Sequence, residues 1–223
     1  MAEGMMNHQH SVIAIDGPAA SGKSSVSRRL SSRLGYLHVN SGIMYRALTW
    51  SVLNSSIQTE DTEAVVAHLG GLDICCGISG EEATLTVDGI DPGSGLKSSE
   101  VNAEVSAISK IPDVRDVLVA KQREYLDVAD IVMEGRDIGS VVFPETPYKF
   151  YIDASAEIRT RRRMDEGIED NLAERDAVDS GRATSPLVIA EDAVVIDTSE
   201  MTLEKVLIEV IDRLRVQGLD ILN

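Results

Sequence analysis

The stretch GPAASGKS (17–24) sets Gly17, Gly22, Lys23 and Ser24 at the spacing G-x-x-x-x-G-K-[ST]. That spacing suits one task. A loop can turn its backbone N–H groups inward around a chain of phosphates if no side chain at the glycine positions blocks the approach. Pro18, Ala19, Ala20 and Ser21 fill the loop, and Ser25 follows it. Lys23 is long enough to reach β- and γ-phosphates, and Ser24 offers a hydroxyl to Mg²⁺. The loop therefore reads as a nucleoside triphosphate cradle. It is silent on where a phosphate would be sent.

The arginines outside the loop bear on that question. A guanine-reading N-K-x-D is absent, and so is the L-S-G-G-Q of ABC-type ATPases. Instead the chain carries Arg46, Arg115, Arg136, Arg159, Arg163, Arg175 and Arg182. Arginine clamps are what phosphoryl transfer needs, because negative charge spreads over the moving group and must be neutralised away from water. SGIMYR (41–46) starts with a capping Ser-Gly pair and leaves Arg46 one turn into a helix. EGRD (134–137) packs two acids and a base just past an apolar run. In ERDAVDSGRA (174–183), Arg175, Asp179 and Arg182 fall at i, i+4 and i+7, one face of a helix. Arg159 and Arg163 lie one turn apart in RTRRRM (159–164). Residues 159–182 are polar, Arg-rich and poor in apolar side chains. Such a segment buries little of itself and reads as a mobile lid over phosphates.

Five short apolar runs must position these groups: 11–16, 36–40, 131–135, 149–153 and 193–197. Each ends in polar or Gly residues followed by a helical pattern. The alternation predicts a parallel sheet with helices on both faces, with ligands at the carboxyl ends of the strands. Val26, Leu30 and Leu34 give the first helix its stripe, and Gly35 ends it. Met44, Leu48 and Val52 do the same for the second. Residues 72–95 break the pattern. LDICCGI and ATLTVDG read as antiparallel strands of a small β insertion. Two helices follow it, the second opened by Pro112. The expected fold is thus α/β, a five-stranded parallel core carrying a β-rich insertion and an Arg-rich lid. Residues 11–223 read as one domain and 1–10 as a flexible tail.

The net charge of −16 disfavours a nucleic acid or an anionic membrane as partner. No apolar run is long enough for a transmembrane helix, and the N-terminal decapeptide lacks the layout of a signal peptide. Cys75 and Cys76 are adjacent and read as reduced thiols of a cytoplasmic protein. An acidic surface and a short chain favour a monomer.

From Val12 onward the chain resembles the bacterial type of cytidylate kinase. The resemblance rests on IDGPAASGKSS, SGIMYR, SEVNAEVSAISKIPDVRDVL, EGRDIGSVVFP, RRRM and RDAVDSGRATSPL, in that order, with a β insertion in the family's place. It implies ATP-dependent phosphorylation of CMP and dCMP, with Mg²⁺. Residues of about 40–110 would form the acceptor-binding region. Ser41 and Arg46 would meet the acceptor, Arg46 at its phosphate. Ser106, Arg115 and Asp137 would read the cytosine edge, and Asp179 would accept from the ribose hydroxyls. Arg136, Arg175 and Arg182 would surround the phosphates, Arg163 would reach those of ATP, and Arg159 would stack on the adenine. Glu134 would hold Mg²⁺ through water, with Asp16 as its competitor. Two departures stand out. Asn40 takes the place of the family's usual Asp, and only ten residues separate Met164 from Arg175. The nearest other enzymes are small-molecule kinases of the shikimate or dephospho-coenzyme A type. A module that binds nucleotide without turnover is the reading from a different class.

Overall fold

A computed structural model describes residues 10–165, 172–182 and 184–221, apart from the side chains of Glu174 and Arg175. The tail expected at 1–10 lies outside them except for its last residue. In chain order the strands are β1 (Val12–Asp16), β2 (Leu37–Asn40), β3 (Ile74–Ser79), β4 (Glu82–Val87), β5 (Ile131–Gly135), β6 (Tyr148–Asp153) and β7 (Val194–Asp197). The helices are α1 (Lys23–Leu34), α2 (Ser41–Asn54), α3 (Thr62–Gly71), α4 (Ser99–Ser109), α5 (Pro112–Glu124), α6 (Ala156–Asp165), α7 (Leu172–Ser180) and α8 (Leu203–Val216). None is long and apolar enough to cross a membrane.

The strands form one sheet in the order β3-β4-β2-β5-β1-β6-β7. β2, β5, β1, β6 and β7 are mutually parallel, at the five apolar runs. The expected count of five is nevertheless too small. The β3–β4 hairpin does not stand apart as an insertion; it extends the sheet beyond β2. One parallel pairing, His38 with Glu82, joins it on, reinforced by His38 N–H donating to Glu81 O at 2.8 Å.

Alternation along each strand sends side chains to two separate cores. Ile13, Ile15, Val132, Phe150 and Ile152 pack with α1 and α8. Val12, Ala14, Val39, Ile131 and Met133 pack with α2, α4 and α5 on the other face. Helix ends carry the expected punctuation. Gly35 caps α1 in the left-handed region, and Pro112 opens α5. Helix α3 was not anticipated. It buries Val65 and Leu69, and Asp61 caps it by accepting from Ala64 N–H.

One buried carboxylate fixes the carboxyl edge of the sheet. Asp16 ends β1 and accepts from Ile138 and Gly139 N–H, both at 2.8 Å. These two residues open a single π-helical turn, Ile138–Val142, just past β5. Burial pushes the Asp16 carboxyl up from 3.8 to about 6, against the opposing pull of the two N–H donors. A carboxyl raised in the folded state holds its proton where the unfolded chain has lost it. Stability from this group is therefore full below about pH 4 and is lost as pH rises through about 6. The gap from 3.8 to about 6 corresponds to roughly 3 kcal/mol. Urea unfolding of wild type and Asp16→Asn across this window should show wild type losing ground to the variant as pH rises. A difference that stays flat with pH would remove Asp16 from this role.

Candidate active site

The phosphate loop joins β1 to α1. Gly17 is required: a Cβ there would fall 2.1 Å from Ile152 O, and φ is +153°. Gly22, at φ +94°, caps the start of α1. Lys23 is buried and donates from Nζ to Pro18 O at 2.9 Å, so it already lies folded back over the loop. The buried hydroxyl of Ser21 has no hydrogen-bond partner among the described residues. Ser24 donates to Glu134 Oε2 at 2.5 Å. Ser25 is exposed on α1.

Two arginines of α6 grip the loop from outside. Arg159 donates to Ala19 O at 3.2 Å, to Ala154 O at 3.1 Å and to Asp176 at 2.5 Å. Arg162 carries no assignment from the sequence. Its Nη1 donates to Ser21 O at 2.9 Å and Ala20 O at 3.3 Å, while Nη2 donates to Thr198 O at 3.1 Å. Loop carbonyls taken up on the outside leave the loop's N–H groups to face inward. Ala20, a non-glycine at φ +59°, is part of that gripped segment. Arg163 is half-buried one turn beyond Arg159.

A second polar cluster lies across the carboxyl edge. Arg115 and Asp137, 2% and 5% exposed, form a direct ion pair. Arg115 also donates to Ser109 O at 3.1 Å and lies 5.3 Å from the centre of the Tyr45 ring. Asp179 is bracketed by Arg136, whose Nε donates to it at 2.8 Å, and by Arg182. Arg182 donates to Ser109 Oγ at 3.0 Å as well. Ser109 thus joins the α4–α5 side of the cluster to the segment after α7. Burial pulls the Arg182 guanidinium down, Asp179 opposes this, and Arg115 adds to it. The Nε atoms of Arg115 and Arg182 are buried without a hydrogen-bond partner among the described residues.

The remaining expected residues surround this pair of clusters. Ser41 donates to Glu134 O at 2.8 Å, tying α2 to β5. Ser106 lies one turn before Ser109 on α4. Arg46 donates to Asn102 Oδ1 at 2.7 Å and Leu96 O at 3.1 Å, which aims it along α4. The side chain of Arg175 lies outside the described residues, as do residues 166–171 of the expected lid. One expectation needs correction. Arg182 is not on the helix face with Arg175 and Asp179, because α7 stops at Ser180. As expected of the Arg-rich segment, α6 buries no residue, and among the described residues of 159–182 only Leu172 and Asp179 are buried. Asp179 is buried because it is paired with Arg136 and Arg182.

Glu134 is the junction of the two halves. It is 1% exposed, at the end of β5, opposite Asn40 of β2. Asn40 Nδ2 donates to Oε1 at 2.9 Å, and His38 Nε2 lies 3.4 Å from the same oxygen. Burial alone would raise the Glu134 carboxyl. His38, the Lys23 charge and the Ser24 hydroxyl outweigh it, and the group falls below its ordinary value. Asp16, the other candidate for Mg²⁺, has both oxygens occupied by backbone N–H.

The family model described as cytidylate kinase matches residues 13–216. The chain belongs to the cytidylate kinase family. The cytidylate kinase of Caldanaerobacter subterraneus subsp. tengcongensis is 42% identical over 214 residues, spanning 91% of this chain and 94% of its own. That of Desulforamulus reducens is 42% identical over 214 residues, spanning 91% and 96%. That of Nocardia farcinica is 42% identical over 210 residues, spanning 89% and 90%.

Within this cytidylate kinase family member, the residues at the loop fit Mg²⁺. Ser24 Oγ and Glu134 Oε2 are hard oxygen donors in contact, beside Lys23. Mg²⁺ keeps several waters and asks for only one or two protein oxygens, so no larger ligand cluster is required.

Arg162 generates a prediction. Three of its contacts are charge-assisted bonds to carbonyls, worth about 1.5–3 kcal/mol each. Arg162→Ala should raise the KM for ATP about tenfold and leave that for the acceptor nearly unchanged. Arg162→Lys should not restore it, since one ammonium cannot span Ser21 and Thr198. An unaltered KM for ATP in both variants would show the grip to be dispensable.

Proposed function

We propose that this protein transfers the γ-phosphoryl group of ATP to CMP and dCMP, giving CDP and dCDP. The observation that carries the reading is the buried Arg115–Asp137 pair beside the Arg136–Asp179–Arg182 cluster, with the Nε donors of Arg115 and Arg182 unspent. An unpartnered buried donor costs about 1–3 kcal/mol, which an acceptor nucleotide would recover. The family relatives, named cytidylate kinases, support the same conclusion.

In this reading residues of about 40–110 form the acceptor side, and those of about 159–182 close over the phosphates. The Asp137 carboxylate accepts from the exocyclic amine of cytosine, while Arg115 donates to the ring N3 or O2. Uracil would turn a carbonyl toward Asp137 and be rejected. Ser106 lines the same edge. Asp179 serves the ribose hydroxyls. Arg46, Arg136, Arg175 and Arg182 hold the acceptor phosphate, and Arg159 and Arg163 meet ATP. Lys23 and the loop N–H groups bind the β- and γ-phosphates. An oxygen of the acceptor phosphate then attacks the γ-phosphorus in line. A new P–O bond forms, the bond to the β,γ-bridging oxygen breaks, and ADP leaves with that electron pair. No covalent enzyme intermediate is involved. The side chains act by alignment and by neutralising charge in a buried setting. Mg²⁺, held by Ser24 and through water by Glu134, would supply charge neutralisation between the phosphates.

An ADP-release assay with ATP and Mg²⁺ tests this against CMP, dCMP, UMP, AMP, GMP and shikimate, with Asp137→Asn alongside. Turnover should be confined to CMP and dCMP, with UMP slower by at least about a hundredfold. Asp137→Asn should lose kcat/KM for CMP by a similar factor while keeping the wild-type KM for ATP. Silence with every nucleotide, with ATP still bound, would overturn the reading.

A further inference from the structure

The face of the sheet toward α1 and α8 is filled by Ile13, Ile15, Val132, Phe150 and Ile152. Strand parity puts His38 and Asn40 on that same face, beside Val132 and Glu134. His38 is 1% exposed, so a polar ring has been buried where the neighbouring positions are aliphatic or aromatic. Such a burial is costly unless both ring nitrogens find partners. Both face carboxylates. Nδ1 is 2.7 Å from Glu82 Oε2, and Nε2 is 3.4 Å from Glu134 Oε1. The second distance is that of an ion pair rather than of an ideal hydrogen bond.

The two carboxylates belong to different parts of the fold. Glu82 opens β4 of the hairpin and is held from outside by Arg28 Nε at 2.8 Å. Glu134 ends β5 at the phosphate loop. A continuous chain of polar contacts therefore runs Arg28, Glu82, His38, Glu134, Ser24. Asn40 joins it from the same strand. An Asp at position 40 would set a second carboxylate against Glu134; the amide of Asn40 donates to it instead.

We propose that His38 and Asn40 are positioning residues for Glu134, and that the β3–β4 hairpin takes part in phosphoryl transfer through Glu82, which anchors His38 from its far side. Asn40 donates to Oε1 and His38 Nε2 faces the same oxygen, which leaves Oε2 turned toward Ser24. The function of the trio is to present one oxygen of Glu134 in a fixed direction toward the Mg²⁺ shell. The proposal rests on the reading of Ser24 and Glu134 as the Mg²⁺ position. The competing account is purely structural: His38 and Glu82 pin the hairpin to β2 and nothing more.

The two accounts differ in Mg²⁺ dependence. Full-length His38→Phe, His38→Gln and Glu82→Gln would be compared with wild type in two ways. One is the half-saturating Mg²⁺ concentration in the CMP kinase assay. The other needs no turnover: affinity for a fluorescent ATP analogue, in EDTA and in Mg²⁺. Residues that orient a metal ligand typically cost about 10- to 100-fold in metal affinity or activity when replaced. His38→Phe should raise half-saturating Mg²⁺ by about tenfold and remove most of the gain in analogue affinity that Mg²⁺ brings. Affinity in EDTA and the KM for CMP should stay at wild-type values. His38→Gln, which keeps one donor, should fall between the two. Glu82→Gln, on the hairpin and outside the loop, should shift the Mg²⁺ requirement the same way by a smaller factor. If His38→Phe melts lower but keeps the wild-type Mg²⁺ response in both measurements, the proposal is overturned in favour of the structural pin. Should His38→Phe fail to fold, a wild-type Mg²⁺ response in Glu82→Gln overturns it equally. A wild-type protein inactive with CMP, whose analogue binding still loses its Mg²⁺ response in His38→Phe, would sink the acceptor assignment and leave this proposal standing.

Discussion

Much of the site depends on how the Asp16 carboxylate is held. Its two oxygens accept from the first two N–H groups of the turn after β5, and its own backbone leads directly into the phosphate loop. The loop that would hold ATP and the segment Arg136–Asp137 that would hold the acceptor are thereby fixed to one point. Phosphoryl transfer demands this, because a reacting pair displaced by an ångström loses much of the advantage of alignment. The fixation has a cost, visible in a carboxyl raised to about 6 by burial. It stays ionised at neutral pH because two donors point at it. Placing such a destabilised group between two binding sites follows the general pattern in which an active site gives up stability for function.

The rest of the site repeats the same solution with larger charges. A protein with a net charge of −16 would be expected to repel nucleotides. Most of that charge is on the surface, where it is screened beyond about 8–10 Å. The cluster at the carboxyl edge is different. Arg115, Asp137 and Asp179 are almost fully buried, so their mutual interactions act through a much lower effective dielectric. Three arginines share two aspartates there, which leaves an excess of positive charge and unspent N–H donors. A local field of that kind attracts an anion regardless of the sign of the molecule's surface.

Legibility in the sequence followed the range of the interactions involved. The five parallel strands could be read because each is a short apolar run closed by Gly or a polar residue, a purely local signal. The phosphate loop was legible for the same reason, as was the pairing of β3 with β4 across a two-residue turn. Membership of the hairpin in the main sheet was not, since it hangs on His38 meeting Glu82 across 44 residues. Helix α3 was hidden because ten residues with two buried side chains and two terminal glycines give almost no periodicity. Arg162 escaped because spacing of four drew attention to Arg159 and Arg163. Its partners, Ser21 and Thr198, come from a loop and a strand end that no local pattern brings together. Arg182 was placed on a helix that the chain leaves two residues earlier, yet it still reaches Asp179. The residue types required by the chemistry were legible, whereas the route by which each arrives was not.

The same distinction explains how a hairpin at the sheet edge can bear on the chemistry. Position 38 lies on a face where the sheet elsewhere buries aliphatic and aromatic side chains, and a hydrophobic residue there would pack without demanding anything of its neighbours. A histidine demands two partners. Burying it sets Glu82 against one ring nitrogen and Glu134 near the other, and through Glu134 it involves Asn40 and Ser24. Each of these contacts is local to its own pair of elements. Their sum ties α1, β2, β4 and β5 into one polar path that ends at the phosphate loop. A buried polar group is thus a means of coupling as well as a cost, because it transmits an orientational requirement that an apolar core, indifferent to direction, cannot carry.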